Sequence, residues 1–271
     1  MMRSTSFHRL LMCVLAFVAT QVIAAVPPAP KLPADAYFLM DATTGQVLVD
    51  HNGDLSLPPA SLTKIMTSFV LAEEVDAGRA SLDDIIKVSR NAWSQNPTFK
   101  GSSLMWIEPG KPVSLADLER GVVISSGNDA SVAVAEHLAG TESSFVDVMN
   151  QLAAELGLDN TVYRNPHGLP HPDHRTTARD LATLSVALIN GHPEHYKIHK
   201  EQSFTYNGIK QYNRNSLLRS DATVDGLKTG YTSESGYGLV ASAQREDMRL
   251  VSVVLGSASK RTRASESSSL L

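Results

Sequence analysis

The 271-residue sequence predicts an α/β (α+β) domain: an antiparallel sheet covered by helices, with a mostly helical lobe inserted between its strands. Three observations carry that prediction. Short apolar runs bounded by turn residues cluster at both ends of the chain, which is strand patterning. Longer stretches with helix caps fill the middle, and strands outside helices imply one sheet with an insertion. No internal repeat or low-complexity tract points instead to a stacked array.

The first 25 residues stand apart from that domain. Arg3, His8 and Arg9 precede an apolar run at residues 10–19, and Val22-Ile23-Ala24-Ala25 follows. This is the pattern of a cleavable export signal, and the run is short for a membrane span. Leu10-Leu11-Met12-Cys13 lacks the small residue that lipidation of the cysteine needs. Cleavage after Ala24 or Ala25 removes Cys13, the single cysteine, and leaves a chain stabilised by its core rather than by disulfides. Loss of Arg3 and Arg9 takes the 24 basic residues to 22 against 28 acidic, a balance of −6 that excludes a nucleic-acid-binding reading. Roughly 245 residues remain, enough for one large domain.

Residues 26–35 are a Pro-rich leader, read as extended. Residues 36–40 and 46–50 flank Asp41-Ala-Thr-Thr-Gly45, a hairpin signal. Pro58-Pro59-Ala60-Ser61-Leu62-Thr63-Lys64 then opens a helix running to about Gly78. The prolines suit its first turn, and Ile65, Met66, Phe69, Val70 and Leu71 form a broad apolar surface behind it. Residues 81–89 fit a short strand or a short helix equally. Residues 91–110 are long, polar and irregular, the kind of loop that is more often functional than not. Ser114 caps a helix with Asp117 at its third position; helices at residues 129–140, 141–157 and 176–191 follow. Asn207-Gly208 sits in a hairpin at residues 204–212, and residues 224–229, 237–243 and 249–256 read as strands.

The chemistry concentrates in three motifs. Ser61 and Lys64 are i and i+3, so the amine can reach the hydroxyl: a nucleophile–base pair at a helix start, where the dipole favours an anion. A second Ser-x-x-Lys, Ser257-Ala-Ser-Lys260, lacks an apolar helix behind it. Ser126-Gly127-Asn128 ends an apolar run and enters a helix, and Lys228-Thr229-Gly230 ends an apolar strand. Singly these are ordinary; Ser126 would serve as a helix cap and Lys228 as a solvated strand end.

Together, in this order, they resemble the active-site trio of penicillin-binding proteins and class A β-lactamases. The flanks agree: Pro-Ala-Ser-Leu-Thr-Lys64, Phe99-Lys-Gly-Ser-Ser-Leu-Met105, Ser126-Gly-Asn-Asp-Ala130, Asn165-Pro-His-Gly-Leu169 and Asp225-Gly-Leu-Lys-Thr-Gly230. The chain is similar to the low-molecular-mass penicillin-binding proteins, the serine-type D-Ala-D-Ala carboxypeptidases of peptidase family S11, from about Ala36 onward. That resemblance implies a β-lactamase/transpeptidase-like fold and a catalytic domain over residues 36–271.

It also implies roles. Ser61 attacks the penultimate D-Ala carbonyl, Lys64 is the base, and Ser126 relays the proton to the leaving nitrogen. Lys64 has to be partly neutral, which burial and a neighbouring Lys228 favour. Asn128 binds a substrate amide; Lys228, Thr229 and Arg263 hold the terminal carboxylate. Gly230 leaves room for substrate along the strand edge, and the Ser61 and Tyr231 N–H groups form an oxyanion hole. Ser102 and Ser103 line the cleft.

Tyr231 stands where many relatives have histidine. The chain ends at residue 271 inside what reads as a starting helix; the resemblance implies a β-rich second domain and a C-terminal amphipathic membrane anchor beyond it, and a less stable domain without the rest of that helix. The partners implied are peptidoglycan stem peptides as substrate and β-lactams as covalent inhibitors, in the periplasm. Serine chemistry calls for no cofactor and no metal. His167, His171 and His174 lie in a Pro-rich loop, and His192, His195 and His199 fit one helix face, but no His-Glu-x-x-His accompanies them. Two alternatives share the trio: a D,D-endopeptidase, and a β-lactamase, for which Glu155 to Asn160 superficially offers a deacylating base but carries Asp159 where Asn is needed.

Overall fold

Turn chemistry and side-chain period shape the sheet of this protein, whose computed structural model describes residues 28–271. The export segment read at residues 1–25 lies outside the described residues. In chain order the elements are β1 (Ala36–Asp41), β2 (Val47–His51), α1 (Lys64–Asp76), β3 (Ile85–Lys87), β4 (Pro112–Ser114), α2 (Leu115–Arg120), α3 (Asn128–Ala139), α4 (Glu142–Glu155), α5 (Ala178–Gly191) and α6 (Pro193–Tyr196). They continue with β5 (Ser203–Tyr206), β6 (Ile209–Tyr212), α7 (Leu217–Ser220), β7 (Val224–Thr232), β8 (Gly236–Arg245), β9 (Met248–Ser257) and α8 (Lys260–Leu270).

Five strands form one antiparallel sheet in the order β2-β1-β9-β8-β7, so the two ends of the chain build it jointly. The ambiguous stretch at residues 81–89 contains β3, paired with β4 in a separate ribbon. Both faces of β1 and β9 carry buried residues, whereas the edge strand β2 is mostly exposed. Ala36, Phe38, Val251 and Val253 join the main core with α1, while Tyr37, Leu39, Leu250 and Val254 pack with Leu270 of α8. That alternation is the period of two expected along strands. The first hairpin turns where the Asp41 carboxylate accepts the Thr43 N–H at 2.8 Å, and the second is β5–β6.

Four helices begin at side-chain caps, Ser114 among them as the sequence predicts. Ser114, Thr141, Thr177 and Ser259 each accept the backbone N–H three residues on, at 3.0–3.1 Å. A cap of this kind stabilises by about 1 kcal/mol. Helix α1 runs through the middle of the molecule, every residue from Lys64 to Ala72 buried. Such all-round burial suits an apolar helix and makes Lys64 an anomaly that needs an explanation.

Two expectations change here. Ser61 does not sit in α1: residues 60–63 form a 3₁₀ turn, and the α-helix starts at Lys64. The pairing survives because residues i and i+3 eclipse at three residues per turn. His192, His195 and His199 share no continuous helix; α6 ends at Tyr196 and a 3₁₀ turn follows. His192 meets Asp76 at 2.6 Å and His195 meets Glu119 at 2.6 Å, so these two fasten α6 to α1 and α2. No helix among the described residues is long and apolar enough to cross a membrane.

Candidate active site

The three motifs converge at the exposed edge of β7. The 3₁₀ turn at residues 60–63 packs beneath that strand, with Leu62 buried in the main core. Residues 121–125 form a π-helical turn that ends at Ser126 in the left-handed conformation, φ 62°. A π turn followed by a left-handed residue re-aims the chain, and such irregularities concentrate at functional sites. Ser126 does not cap α3, whose N-cap is Gly127. Its hydroxyl instead accepts from Lys228 Nζ at 2.9 Å.

Lys64 is 1% exposed, and its Nζ has three neighbours: the His167 carbonyl at 2.6 Å, Asn128 Oδ1 at 2.7 Å and Ser61 Oγ at 3.3 Å. Burial first, then the Arg214 charge, pulls its pKa from 10.5 down to about 7, against the opposing pull of Asp129. Lys228, 3% exposed, is also pushed well below the usual range, by burial, then by Lys64, Arg214 and Arg263. Among the described residues no carboxylate pairs with either amine. Near pH 7 Lys64 is therefore half neutral. A neutral amine has two N–H donors and one lone pair; the two short contacts take the donors, which leaves the lone pair for the Ser61 O–H.

These side chains open on a cleft of about 410 Å³ lined by Ser61, Ser126, Asn128, Thr229, Gly230, Tyr231 and Arg263, with Ser102 and Ser103 on the loop side. Every site residue read from the sequence lines this cleft except the two lysines, which lie directly behind Ser61 and Ser126. Its wall carries three further cations, Arg214, Lys260 and Arg263, and no carboxylate. Arg263 is buried, donates to the Gly230 and Gly238 carbonyls at 3.4 and 3.3 Å, and has no partner for Nε. Tyr231 is 53% exposed and stacks on Tyr237 with ring centroids 4.2 Å apart.

Gly230 owes its identity to a different contact from the one expected. A Cβ there would lie 3.1 Å from both Leu62 Cγ and the Pro59 carbonyl, so glycine lets β7 approach the nucleophile's turn rather than clearing the substrate side. Sequence reasoning missed four contributors. Arg214 approaches from the segment after β6, its Nε donating to the Ser125 carbonyl at 3.1 Å. Asp129 is buried and accepts the Met105 and Trp106 N–H groups at 2.8 Å, fixing the 101–107 loop against α3. The His167 carbonyl holds Lys64, and Lys260, set aside with the second Ser-x-x-Lys, lines the cleft. Asp129 lies inside Ser126-Gly-Asn-Asp-Ala130 and His167 inside Asn165-Pro-His-Gly-Leu169, whereas Arg214 carries no sequence signal.

The family model for D-alanyl-D-alanine carboxypeptidases matches residues 22–259. The chain is 50% identical over 258 residues to D-alanyl-D-alanine carboxypeptidase DacC of Escherichia coli (strain K12), covering 94% of this chain and 64% of that relative. It therefore spans just under two thirds of that protein's length. Penicillin-binding protein 5 from Haemophilus influenzae superposes with a TM-score of 0.88 at 45% identity, covering 90% of this chain and 71% of that one. Penicillin-binding protein D2 from Listeria monocytogenes, solved in its cefotaxime-bound form, gives a TM-score of 0.81 at 31% identity and covers 90% and 98%. With this fold, this site and this match over most of its length, the chain belongs to the D-alanyl-D-alanine carboxypeptidase family, peptidase S11.

Proposed function

We propose that this protein is a serine-type D,D-carboxypeptidase that removes the terminal D-Ala from peptidoglycan pentapeptide stems and is acylated by penicillins. The observation that carries the reading is the placement of Lys64 Nζ, buried and 3.3 Å from Ser61 Oγ with both other contacts to acceptors. An amine so held is a base aimed at one hydroxyl.

The neutral Lys64 takes the Ser61 proton as Oγ attacks the penultimate D-Ala carbonyl. The C–N bond breaks, Ser126 passes a proton to the leaving amine, and D-Ala departs. Lys228, 2.9 Å from Ser126, supports that relay. Water then cleaves the seryl ester. Asn128 Oδ1 is taken by Lys64, so its Nδ2 is the group free to meet a substrate carbonyl. Thr229, the Lys228 amine and the Arg263 guanidinium recognise a free carboxylate, which distinguishes a chain end from an internal bond. The Ser61 and Tyr231 N–H groups supply the oxyanion hole, each worth about 10²–10³ in rate. The export signal read at residues 1–25 puts this chemistry in the periplasm.

A β-lactamase reading needs a carboxylate beside the acyl ester. Glu155 is exposed at the end of α4, accepts from Gln151 at 2.8 Å and is absent from the cleft wall. A D,D-endopeptidase would use the same catalytic groups on a cross-link. Incubation with diacyl-Lys-D-Ala-D-Ala, following free D-Ala, tests the proposal with Ser61→Ala as control. Release from the wild type alone supports it, and equal release from both proteins overturns it.

A further inference from the structure

The residue before the nucleophile holds an unfavourable backbone conformation. Ala60 has φ 48°, a left-handed value that costs an alanine on the order of 1 kcal/mol or more. Its carbonyl oxygen is fixed from two sides. Thr63 Oγ1 donates to it at 2.8 Å, and Gly168, at φ 88°, presses so close that a Cβ there would collide with the Ala60 oxygen. Thr63 Oγ1 has one proton, already directed at Ala60. Its second contact, His174 Nε2 at 3.0 Å, must therefore be a donor. That requires the Nε2–H tautomer and leaves Nδ1 as a lone pair, in keeping with its buried, unpartnered state. Both side chains are buried, and burial lowers His174 to about 3, so the arrangement holds across the neutral range.

The peptide unit linking Ala60 and Ser61 is planar and trans, so its C=O and N–H point in opposite directions. Fixing the Ala60 oxygen against Thr63 and Gly168 thus fixes the line of the Ser61 N–H. Leu62 N–H finds the Pro59 carbonyl at 3.1 Å, but Ser61 N–H has no such partner among the described residues. We propose that the buried His174–Thr63 pair is a positioning device: it locks the Ala60 carbonyl and so aims the Ser61 N–H as an oxyanion donor. The pair touches no substrate. This inference rests on the carboxypeptidase reading above.

Thr63→Val keeps the shape and removes the donor; Thr63→Ser keeps the hydroxyl. His174→Leu removes the donor to Thr63, whereas His174→Gln can restore it through Nε2. The experiment measures kcat and KM for D-Ala release from diacyl-Lys-D-Ala-D-Ala, and the Ki of a peptide boronic acid whose boronate oxygen occupies the oxyanion position. Thr63→Val and His174→Leu should lower kcat at least about tenfold with KM within about twofold, because a misaimed donor acts on the transition state. The boronate should weaken by a similar factor, and Thr63→Ser and His174→Gln should recover most of the loss. Wild-type kcat in a folded Thr63→Val or His174→Leu overturns the inference, as does a kcat loss without loss of boronate affinity. Should both variants fail to fold, failure of His174→Gln to retain rate and boronate affinity overturns it. If Ser61→Ala also releases D-Ala, the carboxypeptidase reading itself has failed.

Discussion

Protonating Lys64 switches off the attack on substrate, and the pH at which this happens follows from its surroundings. An exposed lysine near 10.5 is neutral in only about 0.03% of molecules at pH 7; one held at about 7 is neutral in half. The shift costs the charged form about 5 kcal/mol, which is reasonable for an amine that is 1% exposed with a cation nearby and no paired carboxylate. The sign is unambiguous: below pH 7 the amine is charged and cannot accept the Ser61 proton, and above it the base is available. The second-order rate of acylation by benzylpenicillin should rise about tenfold per pH unit up to pH 6, reach half its plateau near pH 7 and level off above it. Arg214→Gln removes one of the groups that hold Lys64 down, so its limb should move to higher pH. A rate that is flat from pH 5 to 9, or one that climbs unbroken toward pH 10, would refute the assignment of Lys64 as base.

Other perturbations read different parts of the site. Arg263→Gln should raise KM for a peptide with a free C-terminal carboxylate by about tenfold or more, the loss of a charge-assisted hydrogen bond; a wild-type enzyme that cleaves the C-terminal amide equally well would contradict carboxylate recognition. Gly168→Ala places a methyl group against the Ala60 carbonyl in a left-handed backbone position, and should lower benzylpenicillin acylation by about 10²-fold through displacement of the nucleophile turn; a wild-type rate would show that the turn adapts. The penicilloyl ester should persist for minutes or longer, since no carboxylate lines the cleft to activate water, and rapid nitrocefin turnover would disprove that. The His195–Glu119 pair raises the His195 pKa, so its contribution to stability should be full below about pH 6.5 and fade as pH rises through the raised value. His195→Gln should lower Tm more at pH 5.5 than at pH 8.5, and an equal loss at both would argue against a charged pair.

Much of this architecture was legible because the information was local. Asn207-Gly208 and the Ser114 cap each specify their own neighbourhood, and the structure follows them. The nucleophile, its base and the two further motifs were legible for the same reason, each being a short run with its own spacing. What stayed hidden depends on distant chain meeting distant chain. Arg214 becomes part of the site only because the segment after β6 packs on the π-helical turn, and no period or motif marks it. By sequence His174 is one of three histidines in a loop; that it backs Thr63, 111 residues away, follows from packing alone. The π turn was invisible because residues 121–125 present an apolar run that suits a buried strand or helix equally.

The most direct test of convergence on one acyl centre is a covalent map. The exported form is incubated with benzylpenicillin, digested, and examined by mass spectrometry for the peptide that carries the adduct. The geometry predicts a single penicilloyl group on Ser61, slowed severely by Lys64→Met and absent from Ser61→Ala. An adduct on another residue, or full labelling after loss of either side chain, would contradict the account.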